Sequence, residues 1–344
     1  MTRKKKLFLF AALAVVLLAV ATLAAGYCLV THRPFHTDRA VMLYIDADDT
    51  ADSVYAKLER DLNASSLTGF RLLAALYHYP ERVHCGAYRM DASTRTLDAF
   101  RQLRYGQQTP VRLVVPSVRT LDRLAGVMGR RLMADSAAFA RVLTDSVFTD
   151  SLGFDRYTLP ALFLPDTYEV YWTTSPHDLL LRLKREYNRF WNETRKAQAA
   201  AIGLTPVEVA TLASIVEEET AQKAEKPLVA GLYINRLNRG MPLQADPTVK
   251  FALQDFSLRR ILYTHLETDS PYNTYRNTGL PPGPIRVATP NGLESVLGYT
   301  RHSYLYMCAK EDFSGFHNFA TTLAEHLRNA RRYQQELNRR HIKS

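Results

Sequence analysis

The sequence predicts an α+β protein in three parts: an N-terminal helix long enough to cross a membrane, a small β-α-α-β subdomain, and a larger α+β domain that carries the chemistry. Three observations predict this. An uncharged run extends from Leu7 to Val30, directly after Arg3, Lys4, Lys5 and Lys6. A strand-helix-helix-strand pattern fills residues 41–106. Beyond it, a helix opening at Thr205 ends in three consecutive glutamates and is followed by a dense series of polar and turn residues.

The apolar run comes first. About 24 residues at about 1.5 Å each reach roughly 36 Å, against a hydrocarbon core of about 30 Å. Residues 1–6 are then a cytoplasmic basic tail, 7–30 a single-pass transmembrane helix of the cytoplasmic (inner) membrane, and the remainder extracytoplasmic or periplasmic. The alternative is a cleaved signal peptide with Thr22-Leu23-Ala24 as its small-residue site. The run continues past that site through Leu29 and Val30, which favours a retained anchor, and the bulky Tyr27 disfavours lipid attachment at Cys28.

Composition bounds the rest. A chain of 344 residues with 47% hydrophobic content builds one large domain or two modest ones. Cys85 and Cys308 can pair in an oxidising compartment, but two isolated cysteines make no disulfide framework, and their pairing stays open. Outside the membrane, a net charge of +10 suits anionic headgroups and carboxylate-bearing wall polymer rather than nucleic acid. With no Gly-rich phosphate loop and no tight Cys/His spacing, neither a cofactor nor a metal is expected; His317 and His326 have no third ligand at useful spacing.

After a linker at 31–40, Val41–Ile45 reads as a strand, Ala51–Leu62 and 67–77 as helices, and 85–90 as a glycine-led strand. This β-α-α-β order matches the shape of a LysM-type glycan-binding module, and equally that of a generic α/β subdomain. A helix at 97–104, a strand at Val111–Val115 and a helix at 121–132 follow, and 178–198 reads as a long charged helix, a strut between subdomains.

Thr205-Pro206-Val207-Glu208 is a helix start with a hydroxyl cap, a proline in the first turn and a carboxylate three residues on. At about 100° per residue from Val209, the apolar stripe of Leu212, Ile215 and Val216 spans about 240° to 360°, and Glu219 falls near about 280°, inside it. Glu217 and Glu218 fall near about 80° and 180°, on or toward the solvent side. A carboxyl directed inward pairs with a cation or keeps its proton, and the latter suits a general acid near neutral pH. The other reading is a helix-end glutamate bending out to water.

Downstream lie Asn235-Arg236-Leu237, Leu243-Gln244-Ala245-Asp246-Pro247-Thr248, Tyr272-Asn273-Thr274-Tyr275 and Gly279-Leu280-Pro281-Pro282-Gly283. Amides and hydroxyls interleaved with tyrosines suit sugar, offering hydrogen bonds to hydroxyls and flat faces to pyranose rings. Together with Ala213-Ser214-Ile215-Val216-Glu217-Glu218-Glu219-Thr220, these motifs resemble the endolytic murein transglycosylases, the MltG or YceG-like family. Pro165-Asp166-Thr167-Tyr168 and the terminal His317, Phe319 and His326 fit as well. Ala320 and Thr322 depart from expected asparagines, and Ser117 from an expected glycine.

The resemblance implies a LysM-like subdomain at 41–106 and a lytic transglycosylase catalytic domain at 107–342. It implies non-hydrolytic cleavage of the MurNAc–GlcNAc β-1,4 bond of nascent peptidoglycan strands, leaving 1,6-anhydroMurNAc ends and terminating strand elongation. Glu219 is then the catalytic acid, and Asn235, Gln244, Asp246, Thr248, Tyr272, Asn273 and Tyr275 are candidates to hold the glycan. Cell-wall synthases or division proteins are the implied protein partners. A hydrolytic muramidase, with Asp246 as second carboxylate, and a non-catalytic wall-binding scaffold remain as alternatives.

Overall fold

The computed structural model describes residues 3–258 and 260–340. The first two residues of the expected basic tail, and the expected end of the catalytic domain at 342, lie outside the described residues. The structure is mixed α/β, and its described residues divide into two compact units, the first made of those up to residue 112 with 131–133 and 169–174 and the second of the others.

The first unit begins with α1 (Arg3–Thr31), a helix long and apolar enough to cross a membrane and with no buried residue. Then come β1 (Val41–Ile45), α2 (Ala51–Leu62), α3 (Thr68–Leu76), β2 (Gly86–Met90) and α4 (Thr96–Arg104). β1 and β2 pair antiparallel, Val41 opposite Met90 and Ile45 opposite Gly86. Their inward residues Leu43, Ile45 and Tyr88 join Val54 and Leu58 of α2, Phe70 of α3 and Phe100 of α4 in one core. Residues 32–40 are not a free tether: Phe35 is buried in that core, and the amides of His36 and Ser65 donate to Leu62 O and Pro34 O.

Next in the chain are β3 (Val111–Val115), α5 (Leu121–Gly129), α6 (Ser136–Thr144), α7 (Ser146–Ser151) and β4 (Asp166–Val170), with β3 and β4 forming a two-stranded sheet. The helix expected over 121–132 stops at Gly129, where an added Cβ would lie 2.3 Å from the Ser136 amide of the next turn. The expected strut is two helices of the second unit, α8 (Pro176–Phe190) and α9 (Glu193–Ala201). Asn192 breaks it by capping α9 with its side chain, accepting from the Arg195 amide at 3.0 Å.

The second unit centres on α10 (Pro206–Glu219), which packs against α11 (Lys226–Asn238), α12 (Asp246–Leu253) and α14 (Pro290–Leu297). Between α12 and α14 lies the short α13 (Tyr263–Leu266). An antiparallel ribbon of β5 (Tyr306–Ala309) and β6 (His317–Ala320) then leads into α15 (Leu323–Arg339). Of the three departures, Thr322 caps α15 through the Glu325 amide, Ala320 is fully buried, and Ser117 Oγ donates to Val287 O and accepts from Arg286 Nε.

Candidate active site

The capping box at Thr205 forms as the sequence predicts: Thr205 Oγ1 accepts from the Glu208 amide at 3.3 Å, and Glu208 Oε2 from the Thr205 amide at 2.7 Å. The helix it opens is buried on every side, with each residue from Val209 to Val216 in the core. That explains how the expectation for Glu217 and Glu218 fails. A phase argument needs a solvent face, and α10 has none at this depth.

The Glu217 side chain is only 3% exposed. Its carboxylate accepts from Lys226 Nζ at 3.0 Å, from the Thr289 amide at 3.0 Å and from the Thr289 hydroxyl, tying α10 to the starts of α11 and α14. Gly292 lets α14 approach this closely, since a Cβ there would lie 2.7 Å from the Glu217 carboxyl carbon. Glu218 is held by a bidentate pair from Arg119, at 2.9 and 2.6 Å, and by Arg286 Nη1 at 2.9 Å.

Glu219 differs from both, for among the described residues no cation is hydrogen-bonded to it. At the last residue of α10 its carboxyl reaches a cavity of about 220 Å³, lined also by Tyr233, Arg236, Gln244, Asp246, Tyr275 and Met307. One oxygen, Oε1, accepts from Tyr233 Oη at 2.8 Å. Burial raises the Glu219 pKa to about 7; Tyr233's hydrogen bond opposes that rise, and the nearby Asp246 charge adds to it. Burial first, and then the Glu219 charge and hydrogen bond, hold Tyr233 far above its ordinary pKa, so it stays a donor.

The cavity's far wall is built by two segments zipped together. The Gln244 amide donates to Thr274 O at 3.1 Å, the Ala245 amide to Thr274 Oγ1 at 3.0 Å, and the Thr248 and Thr274 hydroxyls meet at 2.8 Å. This brings Tyr275 Oη to Asp246 Oδ1 at 2.6 Å. Gln244 takes a left-handed backbone, φ 53°, and its Oε1 accepts from Arg236 Nη1 at 3.2 Å. An adjoining cavity of about 520 Å³ shares Asp246 and Tyr275 and is lined further by Arg260, Leu262 and Tyr263.

Of the sequence-derived candidates, Glu219, Gln244, Asp246 and Tyr275 therefore share one cavity. The other four have their polar groups engaged elsewhere or are buried. Asn235 Nδ2 donates to His302 O and Tyr304 O at 2.8 and 3.0 Å. Asn273 is fully buried, its Nδ2 donating to Leu266 O and Thr268 O and its Oδ1 accepting from the Tyr275 amide. Thr248 is fully buried, and the buried ring of Tyr272 packs on Phe251 with centroids 4.7 Å apart. The proline-glycine segment braces α10 from outside: the Ile285 amide donates to the buried Ser214 Oγ at 3.0 Å.

Two polar cavity residues escaped the sequence reading as candidates. Tyr233 meets Glu219 only because α10 and α11 pack side by side, and no spacing along the chain announces that. Arg236, inside a noted triplet, is 7% exposed and donates to Leu305 O, Pro242 O and Leu243 O at 2.7 to 3.0 Å, gathering two loops around the cavity. Its signal was an arginine amid the apolar residues of a helix.

Comparison with known proteins places the chain in a family. Residues 43–332 match the YceG-like family. Over 196 residues the chain is 36% identical to an endolytic murein transglycosylase of Bacillus subtilis (strain 168), covering 57% of this chain and 52% of that one. Over 274 residues it is 30% identical to one of Streptococcus pneumoniae (strain ATCC BAA-255 / R6), covering 70% and 49%. The chain thus spans about half the length of the curated relatives it matches. A crystal structure of a YceG-like protein from Listeria monocytogenes superposes with a TM-score of 0.57 at 25% identity, covering 85% of this chain and 99% of that one. With the family's pattern running through both units, the chain belongs to the YceG-like family.

Proposed function

We propose that this protein is a membrane-anchored endolytic peptidoglycan transglycosylase, cleaving the MurNAc–GlcNAc β-1,4 bond of nascent strands to leave 1,6-anhydroMurNAc ends and so ending strand elongation. The observation that carries the reading is the buried Glu219 carboxyl, raised to a pKa of about 7 by burial, at a cleft walled by an amide, the Asp246 carboxylate and tyrosines. The printed names of the bacterial relatives point the same way.

The chemistry needs only that carboxyl. Protonated Glu219 gives its proton to the glycosidic oxygen as the C1–O bond breaks, and the GlcNAc-ended strand leaves with a free hydroxyl. The MurNAc C6 hydroxyl then bonds to C1 and returns its proton to the Glu219 carboxylate. No water is consumed, and attack from within the same sugar benefits from a high effective concentration. Tyr233 occupies Oε1 and leaves Oε2 to face the sugar. Gln244, Asp246 and Tyr275 contact the glycan, while Asn235, Thr248, Tyr272 and Asn273 shape the cleft that receives it.

In the same reading, α1 is a single-pass anchor in the cytoplasmic membrane, the second unit works outside it, and the β-α-α-β unit is a LysM-like module that holds the strand. Cell-wall synthases or division proteins are the expected partners. A hydrolytic muramidase is the second reading, favoured by Asp246 lining the same cleft as Glu219. The test is purified chain on uncrosslinked glycan, read by mass spectrometry: internal cuts with anhydro ends, lost in Glu219→Gln, are expected. Products one water heavier would turn the assignment to the muramidase, and an active Glu219→Gln would end it.

A further inference from the structure

The first unit bears an exposed apolar surface that its own core leaves unused. α3 buries Phe70, Leu73 and Ala74, yet leaves Leu72 and Leu76 52% and 66% exposed. Gly69, Leu72 and Leu76 fall within about 60° of one another around the helix, so they form one face. That face touches α1 at its start: a Cβ at Gly69 would lie 2.5 Å from the carbonyl oxygen of Leu29. α4 is tied to the same end of α1, since the Thr96 amide and hydroxyl both donate to His32 O, at 2.9 and 3.1 Å. Val30 packs on the core of the unit as well. The last turn of α1 is thus built into the unit.

Beyond Leu76 the surface continues through Tyr77 and Tyr105, 49% and 62% exposed. Arg104 links them, its Nε donating to Tyr77 O at 3.3 Å and its guanidinium carbon lying 5.9 Å from the centre of the Tyr105 ring. Arg71, Arg82 and Arg101 are exposed on the same stretch of chain. Leucines flanked by tyrosines and arginines are the composition of a surface that sits at a membrane interface. The leucines reach the acyl boundary, the tyrosines sit at headgroup depth and the arginines meet anionic phosphates.

We propose that this face of α3 and α4 lies in the interface of the same bilayer that α1 spans, so that the first unit rests on the membrane instead of hanging above it. The inference depends on reading α1 as a membrane span. Continuity with α1 selects lipid as the occupant: whatever covers Leu72 and Leu76 must share the space at the end of a helix already in the bilayer. The basic rim suits anionic lipid.

Hydroxyl-radical footprinting of the unaltered full chain, one copy per nanodisc of phosphatidylethanolamine and phosphatidylglycerol, tests this. Phe10 reports on α1, Tyr77 and Tyr105 on the surface, and the exposed Tyr171 and Tyr263 are references. The expected result is protection of Phe10, with Tyr77 and Tyr105 oxidised several-fold more slowly than their exposure predicts from the references. Phe10 protected while Tyr77 and Tyr105 react in proportion to their exposure would overturn the proposal and leave the span standing. A reactive Phe10 would remove the span and the proposal with it. Protection seen only in discs holding two chains would assign the surface to self-association and contradict the proposal.

Discussion

Glu219 works against the stability of the fold that holds it. Below about pH 4.5, its ordinary value, the carboxyl is neutral in folded and unfolded chains alike; between about 4.5 and about 7 the unfolded chain ionises while the folded one keeps its proton, so stability falls across that window and the full cost is in place above about 7. That cost is on the order of 3 kcal/mol at pH 8. Glu219→Gln is therefore expected to raise the thermal midpoint at pH 8 and leave it unchanged at pH 4, while activity falls about 10²-fold or more. Calorimetry at the two pH values checks the first part, and equal midpoints at pH 8 would contradict the burial argument. Since the acid form starts the reaction, wild-type activity declines above about pH 7. Tyr233→Phe removes the hydrogen bond that opposes the rise, so its basic limb moves up by about one pH unit while the rate at the optimum falls. A limb that stays put or moves down would show that Tyr233 does not hold Glu219.

α10 is the element on which the site depends, and the contacts at its C-terminal end are polar. Glu217→Gln leaves Lys226 without its charge partner in a buried setting and is expected to cost about 3 kcal/mol, read as a lower denaturation midpoint. Gly292→Ala presses a methyl onto the Glu217 carboxyl and should cost about 1 to 3 kcal/mol by the same measurement. Unchanged midpoints would mean that α14 does not clamp α10. The ends of α10 were legible because caps are local: Thr205, Pro206 and Glu208 sit within a few residues of each other. The partners of Glu217 and Glu218 were not, because they come from Lys226, Thr289, Arg119 and Arg286, far along the chain, and because a helix buried on all sides carries no phase signal. The same limit applies to Asn273 and Thr248, whose residue types suit glycan binding but whose side chains close loops instead. Strand β1 and helix α2 were readable to the residue, since a short apolar run and an amphipathic pattern are properties of the segment itself.

For the whole molecule, the basic residues in the first turn of α1 predict an extracytoplasmic second unit. A reporter fused after Ser344 that works only in the cytoplasm should be silent. An active reporter, or a mature N-terminus near Ala25, would contradict the anchor. The chain belongs to the YceG-like family, and the function proposed for it rests on one claim, that a single carboxyl suffices because the sugar supplies its own nucleophile. Digestion of uncrosslinked glycan in oxygen-18 water tests that most directly. The account predicts anhydro-ended products that carry no label. Label at the new reducing ends would show that water attacks, and Asp246 would then be the second carboxylate to test.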